Sequence, residues 1–181
     1  MPALISWWRQ DLADLIPFAL DDAVQAAGTD LLRRWAEPQR HYHRTTHLVE
    51  LFWALEELED GDDLDPRDAL LGRVAGWFHD AVYLPLAAAG ANEADSARLA
   101  VSTLGDLGAD ADDTSRIERL VHLSATHDGD ALTPLDRAFL DADLWILSAD
   151  PDRFDDYCEQ GRPDGSLRRT HPVAVAPDVG R

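Results

Sequence analysis

Six of the seven histidines fall into three clusters: His41, His43 and His47; His79 beside Asp80; and His122 with His127. The seventh, His171, lies near the C-terminus. Imidazole nitrogens and carboxylate oxygens are the donors from which mixed transition-metal sites are built. His43 and His47 stand four apart, so on a helix they share a face and can meet one ion. His79-Asp80 closes the apolar run of Val74, Ala75, Trp77 and Phe78 and is followed by Ala81, Val82 and Tyr83. A histidine and an ionised aspartate inside such a run are unfavourable to bury unpaired, and a shared cation satisfies both. Asp143 repeats the pattern in the apolar stretch from Phe139 to Leu147, with Asp141 as the neighbouring acid. Singly, each of these residues reads as a satisfied core histidine or a solvated carboxylate. Together, three segments each place an ionisable group on or near an apolar face, which favours a shared metal site over unrelated caps and salt bridges.

The elements that must position these groups read as helices. Apolar residues recur at three- and four-residue spacing, most clearly at Leu48, Leu51, Phe52, Leu55 and Leu58, and His47 shares a face with Leu51 and Leu58. The pattern predicts helices over 3–15, 20–36, 43–59, 67–81, 92–107, 113–126, 133–147 and 151–160. Asp65-Pro66 opens one of them, proline being tolerated in a first turn. Residues 61–65, 105–113 and 128–130 read as loops. Alternating β-branched residues are almost absent. The fold class expected is all-α, a helical bundle.

A chain of 181 residues is one domain, large enough to bury a core. The net charge is −19, and all sixteen basic residues are arginine. Such a field repels phosphate backbones, so no nucleic-acid surface is expected, although a metal ion can supply local positive charge for a small phosphorylated substrate. The single cysteine, Cys158, excludes an internal disulfide and fits a reducing compartment. No apolar run approaches a membrane span, and Met1 to Arg9 lacks signal-peptide character, so a cytoplasmic protein is expected. Residues 161–181 differ from the rest: four arginines against two acids and three prolines, where residues 1–160 carry twelve arginines against thirty-three acids. The domain is therefore expected over 1–160, followed by a tail that is either flexible or a frameshifted gene end.

The order His47, His79-Asp80, Asp143 resembles the H…HD…D signature of the HD-domain metal-dependent phosphohydrolases. The closer resemblance is to a bacterial subfamily of predicted metal-dependent HD-superfamily phosphohydrolases. It is carried by Arg40-His41-Tyr42-His43-Arg44-Thr45-Thr46-His47-Leu48 and Trp77-Phe78-His79-Asp80-Ala81-Val82-Tyr83. Asn92-Glu93-Ala94-Asp95-Ser96-Ala97, Thr126-His127 and Asp141-Ala142-Asp143-Leu144-Trp145-Ile146-Leu147 continue it. It covers residues 4–160 and departs from the family at Gly161, where the expected terminal helix gives way to proline- and arginine-rich sequence.

The resemblance implies a helical bundle with His47, His79, Asp80 and Asp143 as metal ligands. It further implies that Asp80 can bridge a second ion, with His127, His43 or His122 as added donors and His127 the first choice. Asp141 is the substitute for Asp143. Glu93 is either a base behind the ligands or, with Asn92 as the cap, a helix-start carboxylate. Arg40 and Arg44 are expected to grip a phosphate, or to pair with nearby acids. One or two divalent ions are expected. Mixed donors favour Mn, Fe, Co, Ni or Zn over Mg. The activity expected is hydrolysis of a phosphoester of a small molecule or nucleotide by a metal-activated water. The alternatives are a non-catalytic metal- or nucleotide-binding module of the same fold, and an acidic helical interaction protein anchored by its six tryptophans.

Overall fold

The apolar spacing resolves into seven helices among the described residues: α1 (Pro2–Leu15), α2 (Asp21–Trp35), α3 (Thr45–Asp60), α4 (Pro66–His79), α5 (Ala91–Leu107), α6 (Ala111–Leu123) and α7 (Pro134–Asp143). The structure is a computed structural model and describes residues 2–40, 44–61, 63–127 and 132–145. No strand occurs among them, so the chain is all-α. The helix predicted over 151–160 and the tail after it lie outside the described residues.

Local chemistry sets several of the boundaries. Asp65 accepts a hydrogen bond from the Arg67 N–H, with Pro66 in the first turn of α4. Asp110 does the same for Asp112 at the start of α6. Thr133 and Asp136 form a reciprocal capping box ahead of α7. The loop expected over 105–113 is shorter. Helix α5 continues to Leu107, and Gly108 ends it in the left-handed conformation with φ 86°.

Helix α4 is the axis of the bundle and packs against α1, α3, α5, α6 and α7. Every residue from Ala69 to His79 except Arg73 is buried, so this helix is apolar almost all round, as a central helix must be. Its own Trp77 and Phe78 and, around it, Trp8, Trp35, Phe52 and Phe139 are fully buried rings. Burying each such ring stabilises the fold by roughly 1.5–3 kcal/mol. Two glycines let α3 come close. A Cβ on Gly76 would lie 2.7 Å from Leu51 Cδ2, and one on Gly72 would lie 3.1 Å from Leu55 Cδ1. Their spacing of four puts both on the face of α4 turned toward α3. That close approach is what brings the histidines of the two helices together.

Candidate metal centre

His47 belongs to the first turns of α3 and is 3% exposed, on the inward face that its spacing from Leu51 predicts. His79 is the last residue of α4 and is 1% exposed. Their Nε2 atoms stand 3.2 Å apart. Asp143, at the end of α7, brings Oδ1 to 3.1 Å from His47 Nε2 and to 3.4 Å from His79 Nε2. Asp80, the residue after α4, places Oδ2 3.2 Å from His79 Nε2. His127 follows α6, and its Nε2 lies 2.9 Å from the other Asp143 oxygen. Its backbone holds φ 52°, the left-handed region that histidine enters uncommonly.

The proton positions follow from the backbone. His79 Nδ1 lies 2.8 Å from the Gly76 carbonyl, which can only accept, so Nδ1 carries the proton. In the neutral imidazole Nε2 is then a bare lone pair pointing at His47, Asp80 and Asp143, as a metal-ligating histidine is arranged. Burial pushes the His79 imidazolium down, but the carboxylates of Asp80 and Asp143 override it and hold it well above the ordinary histidine range. Burial likewise pushes Asp143 up, and His79, with hydrogen bonds from His127, His47 and His79, drives it well below the carboxylate range. The hydrogen bond to Asp143 raises His127.

Donors that share one ion at about 2.1 Å stand roughly 3.0–3.4 Å apart for octahedral to tetrahedral angles. The separations of 3.1, 3.2, 3.2 and 3.4 Å fall in that band. His47, His79 and Asp80 form a group that can hold a metal ion, their donor atoms lying within 4.8 Å of one another, and Asp143 adjoins it.

Three of the last four carbonyls of α4 have identified donors. Gly76 accepts from His79, and Trp77 accepts from Trp35 Nε1 at 2.9 Å. Phe78 accepts from the Ala81 N–H at 2.8 Å. Beyond them, Arg40 donates to the carbonyls of Asp80 at 2.8 Å and Ala81 at 3.2 Å. Four orphan acceptors are expected at any helix end, and here one of them, Trp77, is met by a side chain from another helix.

The remaining predicted residues divide. Asp143 rather than Asp141 meets the imidazoles, while Asp141 is exposed beside Trp145. Of the two expectations for Arg40, pairing with an acid is the one seen: Glu37 lies 3.6 Å from Nε, the side chain is 0% exposed, and both terminal nitrogens donate to carbonyls, so it is not placed to grip a phosphate. Arg44 is exposed at the cap of α3, with Nε donating to the Arg40 carbonyl at 2.6 Å. His122 is exposed on α6 and Glu93 half-buried in the first turn of α5, both outside the donor cluster. Asn92 does not cap α5; Gly90 stands at that position. Asn92 instead bonds both backbone groups of Leu84, at 3.0 and 3.2 Å, and Ser96 Oγ accepts from the Val82 N–H at 3.0 Å. His41 and His43 lie outside the described residues. Sequence reasoning missed Trp35, whose ring centroid is 5.5 Å from that of His79, and the glycine pair of α4. The Gly-x-x-x-Gly spacing inside an apolar run was the available signal.

No family model matches the chain, and no curated protein or solved structure matches it either. No helix among the described residues is long and apolar enough to cross a membrane.

Proposed function

We propose that the chain is a metal-dependent phosphohydrolase acting on a phosphoester of a small molecule or nucleotide, and that its fold is of the HD type. The observation that carries this reading is that His47 Nε2, His79 Nε2 and an Asp80 oxygen gather within 4.8 Å of one another at the end of α4, with Asp143 Oδ1 of α7 3.1 and 3.4 Å from the two imidazoles. Two imidazoles and two carboxylates suit Mn, Fe, Co, Ni or Zn better than Mg.

When bound, a divalent ion supplies Lewis acidity toward a phosphoryl oxygen and makes a water acidic enough to attack near neutral pH. The chain's own contribution is positional. The Gly76 carbonyl fixes the His79 tautomer, so that Nε2 faces the ion. Asp143 spans the cluster, one oxygen toward His47 and the other toward His127, which leaves His127 placed to serve a second ion. Arg44, exposed one turn before His47, offers its guanidinium to a phosphate in a protein of net charge −19.

A second reading drops the ion. The same atoms stand close enough to hydrogen-bond directly, and an imidazolium at His79 between Asp80 and Asp143 balances the charge with a proton. Elemental mass spectrometry of the purified protein separates the two. About one or two transition-metal ions per chain are expected, lost in His79→Ala and Asp80→Ala. That ion should then support turnover in a panel of phosphomonoesters, nucleotides and phosphodiesters. A folded wild type that takes up no Mn, Ni or Zn overturns the metal reading. Metal without turnover leaves a binding module.

A further inference from the structure

Arg40 has 0% side-chain exposure, and its two terminal nitrogens are directed at the carbonyls of the two residues that follow His79. Its guanidinium carbon lies 5.5 Å from the Trp35 ring and 5.3 Å from the Tyr83 ring, so the planar group is held against two aromatic faces. Trp35 is itself tied to α4 through the Trp77 carbonyl. Glu37, three residues before Arg40, places a carboxylate oxygen 3.6 Å from Nε.

We infer that Arg40 is a positioning residue for the candidate metal centre, fixing the backbone at Asp80 and Ala81 so that the Asp80 carboxylate stays beside the imidazoles. The inference rests on the metal reading above and adds to it a residue that acts through the backbone carbonyls beside the donors.

The geometry supports this in three ways. Asp80 follows α4 with φ −114° and ψ 15°, so the backbone leaves the helix at the residue whose carboxylate faces His79. The two carbonyls that Arg40 engages lie on either side of the Ala81 Cα, so the chain leaving Asp80 is pinned at two successive peptides. Ala81 is 1% exposed, so its carbonyl has little access to water as a substitute donor. The far side of the same segment is held independently, Val82 by Ser96 and Leu84 by Asn92. Residues 80–84 are therefore clamped from α5 on one side and by Arg40 on the other. Lysine cannot reproduce the Arg40 half, because a point charge lacks the rigid two-nitrogen fork and the flat face that lies against the rings.

Co(II) titration followed by visible absorption tests the inference on the full chain, alongside thermal unfolding of the metal-free protein. For Arg40→Lys, the Co(II) dissociation constant should rise roughly 10–100-fold, with changed d–d band intensity, as for loss of other residues that support a ligand. Leu104→Ala, a core truncation on α5, should lower the thermal midpoint while leaving Co(II) affinity and bands as in the wild type. Should Arg40→Lys not fold, Tyr83→Leu, which removes one of the two rings and leaves Arg40 in place, decides the matter by the same readout. Wild-type affinity and bands in the folded variant overturn the inference and leave the metal reading intact. A wild type that takes up no Co(II) overturns both.

Discussion

Along α4, Arg73 reaches Asp11 of α1 and Glu59 of α3 at 3.0 Å each, and at the C-terminal end of the same helix His79 reaches Asp80 at 3.2 Å and Asp143 of α7 at 3.4 Å. Both clusters bury carboxylates from two segments around one basic residue of α4. They differ in the base. Arg73 cannot give up its proton and has no lone pair to offer, so its cluster is complete as an ion pair. Burial pushes Arg73 down, but Asp11 and Glu59 override that and keep it charged. His79 in its neutral form has a bare Nε2, so its cluster can exchange a proton for a metal ion. The same burial of charge thus gives a structural clamp at one position and a candidate reactive centre two turns away.

Removing Arg73 should break the contrast most severely. Arg73→Met leaves Asp11 buried without its cation and should destabilise the fold by about 3–5 kcal/mol in urea unfolding, with the metal content of the surviving folded protein unchanged. Loss of bound metal in that variant would mean that the two clusters are not independent.

The pH profile sharpens the same comparison. Burial pushes Asp11 up to about 6, opposed by Arg73 and reinforced by Asp14 and Glu56. The folded pKa exceeds the unfolded one, so the favourable contribution is complete below pH 3.8 and is lost as pH rises through about 6. Between pH 4 and pH 7 the wild type should therefore lose about 2 kcal/mol relative to Asp11→Asn, measured by urea unfolding at each pH. Parallel profiles for the two proteins would show that Arg73 fully offsets the burial.

The smallest effect is expected from Gly76→Ala. The added methyl meets Leu51, itself fully buried, and overpacking of this kind costs about 1–3 kcal/mol. Because it wedges α3 from α4, it should also weaken Co(II) binding, whereas a purely local clash would lower the thermal midpoint alone.

Much of this molecule is legible in one dimension. Asp65-Pro66 and Thr133-Pro134 mark helix starts because a side-chain oxygen caps N–H groups two or three residues ahead, a contact that needs no tertiary partner. The inward position of His47 follows from its spacing to Leu51. For Arg40 the sequence left a phosphate grip and an acid pair open, and it is the burial against Trp35, Tyr83 and the end of α4 that decides against the grip. Asn92 was misread as a cap because its partner, Leu84, lies in the preceding loop, out of reach of a spacing argument.

Composition and periodicity by themselves determined an acidic all-α chain, the places of the seven described helices, and a set of imidazoles and carboxylates on or near apolar runs. Only the tertiary structure decided which of these meet. His47 and Asp143 are 96 residues apart, and their 3.1 Å approach depends on how α3 and α7 pack beside α4. Spacing along the chain sets which face of a helix a residue occupies. The distance between two such faces is set by the side chains between them, here the two glycines that let α3 settle against α4.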